Sequence, residues 1–286
     1  MRRILVTGAS GQLGSAINSN KTKFENLNFI FKSSQELDIT NPEAIEELLS
    51  QEHFDIIVNT AAYTAVDKAE TEPQKARSIN ATAVQFLAKS AYKRGITLIH
   101  ISTDYVFDGS QNIARIESDE TNPIGVYGKT KLEGEELALQ ENPKTIIIRT
   151  AWVYSEFGSN FVKTMLRLFK EKSQLSVIND QIGSPTNAND LAKAIGDIAS
   201  SEKLVYGIFN YSNEGKCSWF EFANKIKELV QSKIEILPIA TSEYPTLAQR
   251  PAFSLLNKEK IKVTYGLEIP NWEKSLNELL EKKDLQ

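Results

Sequence analysis

Short apolar runs alternate with longer amphipathic ones through the first half of the chain. Arg3–Thr7, Asn28–Lys32, Asp55–Asn59, Thr97–Ser102 and Thr145–Arg149 are each five or six residues of mostly β-branched or aliphatic character. Such runs suit strands buried on both faces, as in a parallel sheet. Between them apolar positions recur at three and four spacing. Gln12–Asn18 follows a glycine turn. Asn41-Pro42-Glu43 opens a helix with a capping side chain and a proline at its first position, and Glu72–Lys93 carries Ala and Leu at helical spacing up to Gly95. Strand and helix in alternation predict βαβ crossovers and a Rossmann-like, doubly wound parallel α/β sheet.

After Thr150 the rhythm loosens. Helices are expected over Phe161–Lys170, Asn189–Ser200, Ser218–Val230 and Trp272–Leu280, and strands over Leu175–Ile178, Tyr206–Tyr211 and Ile234–Leu237. Residues 1–150 read as one domain and 151–286 as a smaller domain interleaved with it, some later segments returning to the first sheet.

The chain has 286 residues, enough for about two domains of roughly 150. Hydrophobic residues make up 41% and charged residues 24%, with Gly 14 and Pro 9, which excludes disordered, collagen-like and disulfide-scaffold classes. Lys plus Arg 33 against Asp plus Glu 37 gives a net charge of −4, without a block of like charge. No footprint for nucleic acid or an anionic membrane is present, so the positive charge a phosphate ligand needs must be local. Cys217 has no cysteine partner, and His53 and His100 lie far apart, so neither a disulfide nor a zinc site is expected. No run of 18 apolar residues exists, and Ile4-Leu5-Val6 ends at once in Thr7-Gly8. Neither a membrane span nor a signal peptide fits, and a cytoplasmic protein is expected.

Thr7-Gly8-Ala9-Ser10-Gly11-Gln12-Leu13-Gly14 joins the first strand to the first helix with the spacing GxxGxxG. Gly8 would allow the tight turn, Gly11 a close approach of backbone to pyrophosphate, and Gly14 packing of helix on strand; the helix N-terminus adds donors and a positive dipole. Dinucleotide binding is the expectation. At the end of the second strand, Phe31-Lys32-Ser33-Ser34-Gln35 lacks the carboxylate that would take a ribose 2′-hydroxyl. Lys32 with the serine hydroxyls could hold a 2′-phosphate, favouring NADPH while leaving NADH open.

Tyr127-Gly128-Lys129-Thr130-Lys131 places Tyr127 and Lys131 on one helix face. A tyrosine needs a neighbouring cation and a helix N-terminus to act as an acid near neutrality, and Lys131 and the dipole could supply both. Ahead of it, Ile101-Ser102-Thr103-Asp104-Tyr105-Val106-Phe107 runs from an apolar strand into a polar loop, at the edge where α/β sheets bind ligands. Glycine loop, Thr103 and the Tyr–Lys pair in this order resemble the extended branch of the short-chain dehydrogenase/reductase superfamily.

Longer segments carry the resemblance further. Asn59–Glu70, Ser102–Phe107, Thr150-Ala151-Trp152-Val153-Tyr154, Ile178–Thr186, Arg250-Pro251 and Leu256-Asn257 are similar to the dTDP-4-dehydrorhamnose reductase family, over about residues 3 to 280. The resemblance implies hydride transfer from NADPH to C4 of a dTDP-linked 4-keto-6-deoxy sugar, Tyr127 protonating the carbonyl oxygen, Thr103 bonding it, and Lys131 lowering the tyrosine pKa and holding the nicotinamide ribose. It also implies that Ser10, Gly11, Gln12 and Leu13 touch the pyrophosphate, Asp38 and Ile39 the adenine end, and Ala61, Ala62 and Tyr63 the middle of the cofactor. Val66, Asp104, Tyr105 and Trp152 would face the substrate, and Arg250 either meets its diphosphate or forms an interdomain salt bridge. A related Thr-Asp-Glu triplet serves sugar-nucleotide dehydratases; Tyr105 stands at its third position, so elimination loses its carboxylate pair. Reduction of another nucleotide-linked keto sugar, epimerisation, and a non-catalytic regulatory subunit remain alternatives.

The chain departs from the pattern where some family members bind magnesium at a dimer interface. Ala16 and Asn189 stand where glutamates belong, leaving Glu278, with Asp190 turned aside by one residue. No magnesium is expected, and the chain should be a monomer or a weak dimer without that bridge. His100 reads as a hydrogen-bonded core residue, Cys217 as a bystander, Trp219, Phe220 and Phe222 as core, and Lys225, Lys227 and Lys233 as a solvated face.

Overall fold

A computed structural model describes residues 1–282; positions 283–286, the end of the expected second domain, lie outside the described residues. Five strands carry the first half: β1 (Arg2–Thr7), β2 (Leu27–Lys32), β3 (Ile56–Asn59), β4 (Thr97–Thr103) and β5 (Thr145–Thr150). With Gly207–Asn210 they form one six-stranded parallel sheet in the order Gly207–Asn210, β5, β4, β3, β1, β2. The apolar runs explain why this sheet is covered twice. Ile4, Val6, Ile56, Val58, Ile146 and Ile148 feed one core, while Leu5, Ile57, Leu98 and Ile147 feed the other. Period-two alternation with both phases apolar is what two helical layers require.

The helices follow from local chemistry. In α1 (Gln12–Asn20) and α8 (Ala188–Ser200) the buried faces, including Ala16, Ala192 and Ile195, pack in the first core. For α2 (Pro42–Gln51), Asn41 Oδ1 accepts from the N–H groups of Glu43 and Ala44 at 3.0 and 3.2 Å, with Pro42 at the first position. The helix expected over Glu72–Lys93 is three pieces: α4 (Pro73–Arg77), a π turn at Ser78–Thr82, and α5 (Ala83–Lys93). Pattern alone does not reveal the π turn, a single wide turn set between two α-helical pieces. The structure also has a short helix α3 (Val66–Thr71) and a helix at Glu259–Tyr265 that the apolar spacing does not announce.

The late segments Ala188–Ser200, Gly207–Asn210 and Ile261 belong to the first sheet's cores. A separate core unites Tyr154, Val162 and Met165 of or near α7 (Phe161–Glu171), Phe222 and Ile226 of α9 (Trp219–Leu229), and Trp272 and Leu276 of the helix Trp272–Leu280. Beside them Gln174–Ile178 pairs in parallel with Glu235–Ile239. Register aligns Thr7 with Lys32 and Asn59, Asn59 with His100, and Thr103 with Thr150. The loops leaving these strands therefore share one sheet edge. The chain reverses direction across the sheet between β1 and β3, where such folds open a ligand crevice.

Candidate active site

The glycine turn is shaped by three different close approaches. Gly8 is left-handed (φ +68), and a Cβ there would lie 2.6 Å from Ala61 N, so glycine lets the loops after β1 and β3 touch. A Cβ on Gly14 would stand 2.5 Å from Gly8 O, so Gly14 lets α1 sit on the turn. Gly11 meets only Gly8 O, at 3.2 Å. It is the N-cap of α1, with no side-chain cap bond and no acid in the first turn. The helix thus begins with uncapped donors and a positive dipole end over a surface that a Cβ would narrow, which fits a pyrophosphate. Ser10 is exposed and Leu13 buried. The Gln12 side chain is committed elsewhere: its Oε1 accepts from Ser155 Oγ at 3.0 Å and Asn160 Nδ2 at 2.9 Å, tying the loop to the start of α7.

Lys32 ends β2, its carbonyl accepting from Ala9 N at 3.1 Å. A carboxylate does stand nearby: Glu36 Oε2 accepts from Ser33 N at 2.8 Å and Ser33 Oγ at 2.7 Å. These bonds hold its pKa below the usual range, with Lys32 contributing less. The Ser-x-x-Glu spacing was the signal for it. Asp38 is exposed and its Oδ1 accepts from Thr40 N at 2.9 Å, while Ile39 is buried.

Ala61, Ala62 and Tyr63 follow β3 as expected, and Asn80 of the π turn holds them. Tyr63 N donates to Asn80 Oδ1 at 2.8 Å; Asn80 Nδ2 donates to Tyr63 O at 3.1 Å and to Thr130 Oγ1 at 3.2 Å. Thr130 lies on α6 (Val126–Glu141), whose first N–H donates to Glu70 Oε1 at 2.8 Å. Two glycines let α6 descend onto the site: a Cβ on Gly128 would overlap Tyr105 O, and one on Gly134 would overlap Asn80 O. Glycines inside a helix were their sequence signal.

Thr103, Asp104, Tyr105, Tyr127 and Lys131 come together here. Thr103 Oγ1 accepts from Tyr105 N at 3.2 Å and donates to Asp104 Oδ1 at 3.0 Å. The rings of Tyr105 and Tyr127 meet edge to face at 5.6 Å, which sets the Tyr127 phenol beside the Thr103–Tyr105 turn. Burial pushes the Tyr127 phenol up to about 12, Thr103 opposing and Asp104 adding to the rise. This corrects the expected lowering by Lys131. The lysine is buried and turned to β4: Nζ donates to Ile101 O at 2.6 Å and lies 3.3 Å from His100 Nε2. Burial brings Lys131 down to about 8, opposed by Glu135.

His100 is the hydrogen-bonded core residue expected, but it touches this group. Its Nδ1 accepts from Asn59 Nδ2 at 3.1 Å, since Asn59 Oδ1 already accepts from Thr7 Oγ1 at 2.7 Å and Ala61 N at 3.2 Å. Burial holds its pKa well below the usual value. Asp104 is 2% exposed, and among the described residues its Oδ2 is buried without a partner. Burial raises it to about 7, against hydrogen bonds from Ser254 and Thr103.

Trp152 follows β5 with left-handed backbone (φ 48), a strained position for a bulky residue. Its ring stacks on Trp219 at 3.6 Å and 8°, and a Cβ on Gly183 would come within 2.6 Å of it. Trp219, expected as plain core, is half of this stack. Beside it a cavity of about 350 Å³ is lined by Phe161, Met165, Gln181, Trp219, Tyr244 and Arg250. Arg250 pairs with Asp67 through both nitrogens, at 2.7 and 3.2 Å, next to Val66 at the start of α3. Arg250 holds the Asp67 carboxyl below its usual range.

At the positions where the resemblance implies metal ligands, Ala16 is buried and Asn189 bonds Asn20 and Glu156, each at 2.9 Å. Glu156 pairs with Lys282 at 2.5 Å, Asp190 accepts from Ser275 Oγ at 2.6 Å, and Glu278 lies 3.8 Å from Lys274. Among the described residues no cluster of three His, Cys, Asp or Glu could hold a metal ion, and no helix is long and apolar enough to cross a membrane.

Residues 1–285 match the family model of the RmlD substrate binding domain. A dTDP-4-dehydrorhamnose reductase of Aggregatibacter actinomycetemcomitans is 41% identical over 292 residues, covering 98% of each chain. The crystal structure of the dTDP-4-dehydrorhamnose reductase of Bacillus anthracis in complex with NADP superposes with a TM-score of 0.94 at 38% identity, over 98% of both chains. That of a Clostridium acetobutylicum enzyme of the same name gives 0.93 at 41% identity, again over 98% of both.

Proposed function

The chain belongs to the dTDP-4-dehydrorhamnose reductase family, and from that premise we propose that it reduces the C4 keto group of dTDP-4-dehydro-L-rhamnose with NADPH, Tyr127 serving as general acid. The observation that carries this reading is the packing of Tyr127 against the Thr103–Tyr105 turn at the sheet edge that also holds the uncapped start of α1. NADPH supplies hydride to the carbonyl carbon when bound. Its pyrophosphate would lie on Ser10–Gly14, its 2′-phosphate near Lys32, its adenine near Asp38 and Ile39, and its middle along Ala61–Tyr63. The Bacillus anthracis complex supports NADP as the cofactor, with NADH the alternative.

Thr103 bonds the carbonyl oxygen, and Tyr127 gives it a proton as hydride adds. A phenol raised to about 12 is fully protonated at neutral pH, the state a general acid needs. It transfers readily nonetheless, because the alkoxide forming at the sugar oxygen is a stronger base than phenolate. Lys131 would turn toward the nicotinamide ribose. Val66, Asp104, Tyr105 and Trp152 would face the sugar nucleotide, with Arg250 free for the diphosphate only if it leaves Asp67. Residues 1–150 then serve the cofactor and most of 151–286 the sugar nucleotide, in a monomer or a weak dimer without a magnesium bridge. The test is NADPH oxidation with dTDP-, UDP- and GDP-linked 4-keto sugars: the dTDP sugar should be consumed fastest, and equal or faster use of another would reassign the substrate.

A further inference from the structure

The Thr103 hydroxyl has one proton and two lone pairs, and its neighbours compete for all of them. Tyr105 N–H occupies one lone pair at 3.2 Å. Asp104 Oδ1 lies 3.0 Å away, and among the described residues Oδ2 is buried without a partner. An ionised Asp104 can only accept. It takes the Thr103 proton, and the remaining lone pair of Thr103 is then open to draw the neighbouring Tyr127 hydroxyl inward. Both protons a carbonyl oxygen needs are directed into the protein. A protonated Asp104 donates to Thr103 instead, which fills its second lone pair, frees its proton and leaves the Tyr127 hydroxyl free to donate.

We propose that Asp104 is a positioning residue whose proton sets the direction of the Thr103 hydroxyl, and so decides whether Thr103 and Tyr127 offer their protons to the bound keto sugar. The proposal rests on the reductase reading. Burial with an orphaned oxygen is the arrangement expected of a carboxyl kept neutral near physiological pH. The titratable groups around it are Tyr105 on its own turn and Tyr127 on α6, both raised by burial. Arg250 and Asp67 act on Tyr105, and Lys131 is turned to Ile101.

The experiment follows the carboxyl and the turnover together. Aspartate labelled with ¹³C at the side-chain carboxyl is titrated by NMR in the NADP-saturated protein, the Asp104 signal being assigned by its loss in Asp104→Asn. The kcat for dTDP-4-keto sugar reduction is measured over the same pH range. Asp104 should titrate near 7, and kcat should fall with rising pH through the same point. Ser254→Ala removes the hydroxyl that opposes the rise at Asp104 and should move both midpoints upward together. Asp104→Asn should lose this limb whatever its absolute rate, keeping only the later one of Lys131 near 8. An Asp104 signal that titrates in the ordinary carboxylate range overturns the proposal while turnover persists. So does a kcat limb near 7 that survives in Asp104→Asn or stays still in Ser254→Ala. No turnover of the keto sugar at any pH overturns the reductase reading itself, and with it the catalytic consequence of the switch.

Discussion

Tyr127 and Asp104 share one small volume, and burial acts on both by disfavouring charge. For Tyr127 this keeps the proton in place, so Tyr127→Phe should bind NADPH normally by fluorescence titration while losing about 10²–10⁴ in kcat. Turnover within tenfold of the parent would remove Tyr127 from the acid role. For Asp104 the same burial carries a stability cost with a defined sign. Its folded pKa of about 7 exceeds the value of 3.8 that it has when unfolded. Between these values the unfolded chain releases a proton the folded chain retains, so stability falls as pH rises from about 4 to 7 and levels off above. Asp104→Asn should therefore gain stability over the parent as pH rises through that window, on the order of a few kcal/mol, read as a rising difference in melting temperature. Equal gains at pH 4 and pH 7 would contradict the burial argument. His100 acts in the opposite sense, costing stability as pH falls below the ordinary histidine value.

Helix α6 is the element that makes these residues a site. Its start is fixed by Glu70 at Val126 N–H, and its path by Gly128 against Tyr105 O and Gly134 against Asn80 O. Glycine inside a helix costs roughly 0.5–1 kcal/mol relative to alanine, yet replacing Gly134 would force backbone apart. Gly134→Ala should destabilise by about 1–3 kcal/mol in urea and lower kcat by displacing Tyr127 and Lys131. An alanine variant of undiminished stability would show that the two backbones separate freely. The π turn belongs to the same device, since it brings Asn80 to both Tyr63 and Thr130. The Tyr-x-x-x-Lys spacing announced the catalytic face of α6 in the sequence. The glycines and Asn80 that set its depth were visible only as residues out of keeping with a helix, because their role depends on a segment some fifty residues away.

Across the whole molecule, one deeply buried ion pair ties α6 to the sheet, and a more open one joins the two halves. Arg149 at the end of β5 and Glu135 on α6 are 3% and 1% exposed and joined at 2.7 Å. Glu135→Ala strands the arginine's charge and should cost about 3–5 kcal/mol of unfolding free energy. A loss below about 1 kcal/mol would mean that water reaches Arg149. The Arg250–Asp67 pair is more open, and breaking it should change stability little. The sheet was legible because its strands are apolar in both phases, and the glycine turn and Tyr–Lys pair because local spacing carries their chemistry. These features are short-range, encoded by neighbours in the chain. Tertiary structure decided the rest. It added Gly207–Asn210 as the sixth strand, closed Arg250 on Asp67, stacked Trp152 on Trp219, and turned Lys131 from the phenol to Ile101 and His100. Each of these joins segments distant in sequence, and where a buried charge finds its partner depends on which backbone is brought beside it, which no local pattern specifies.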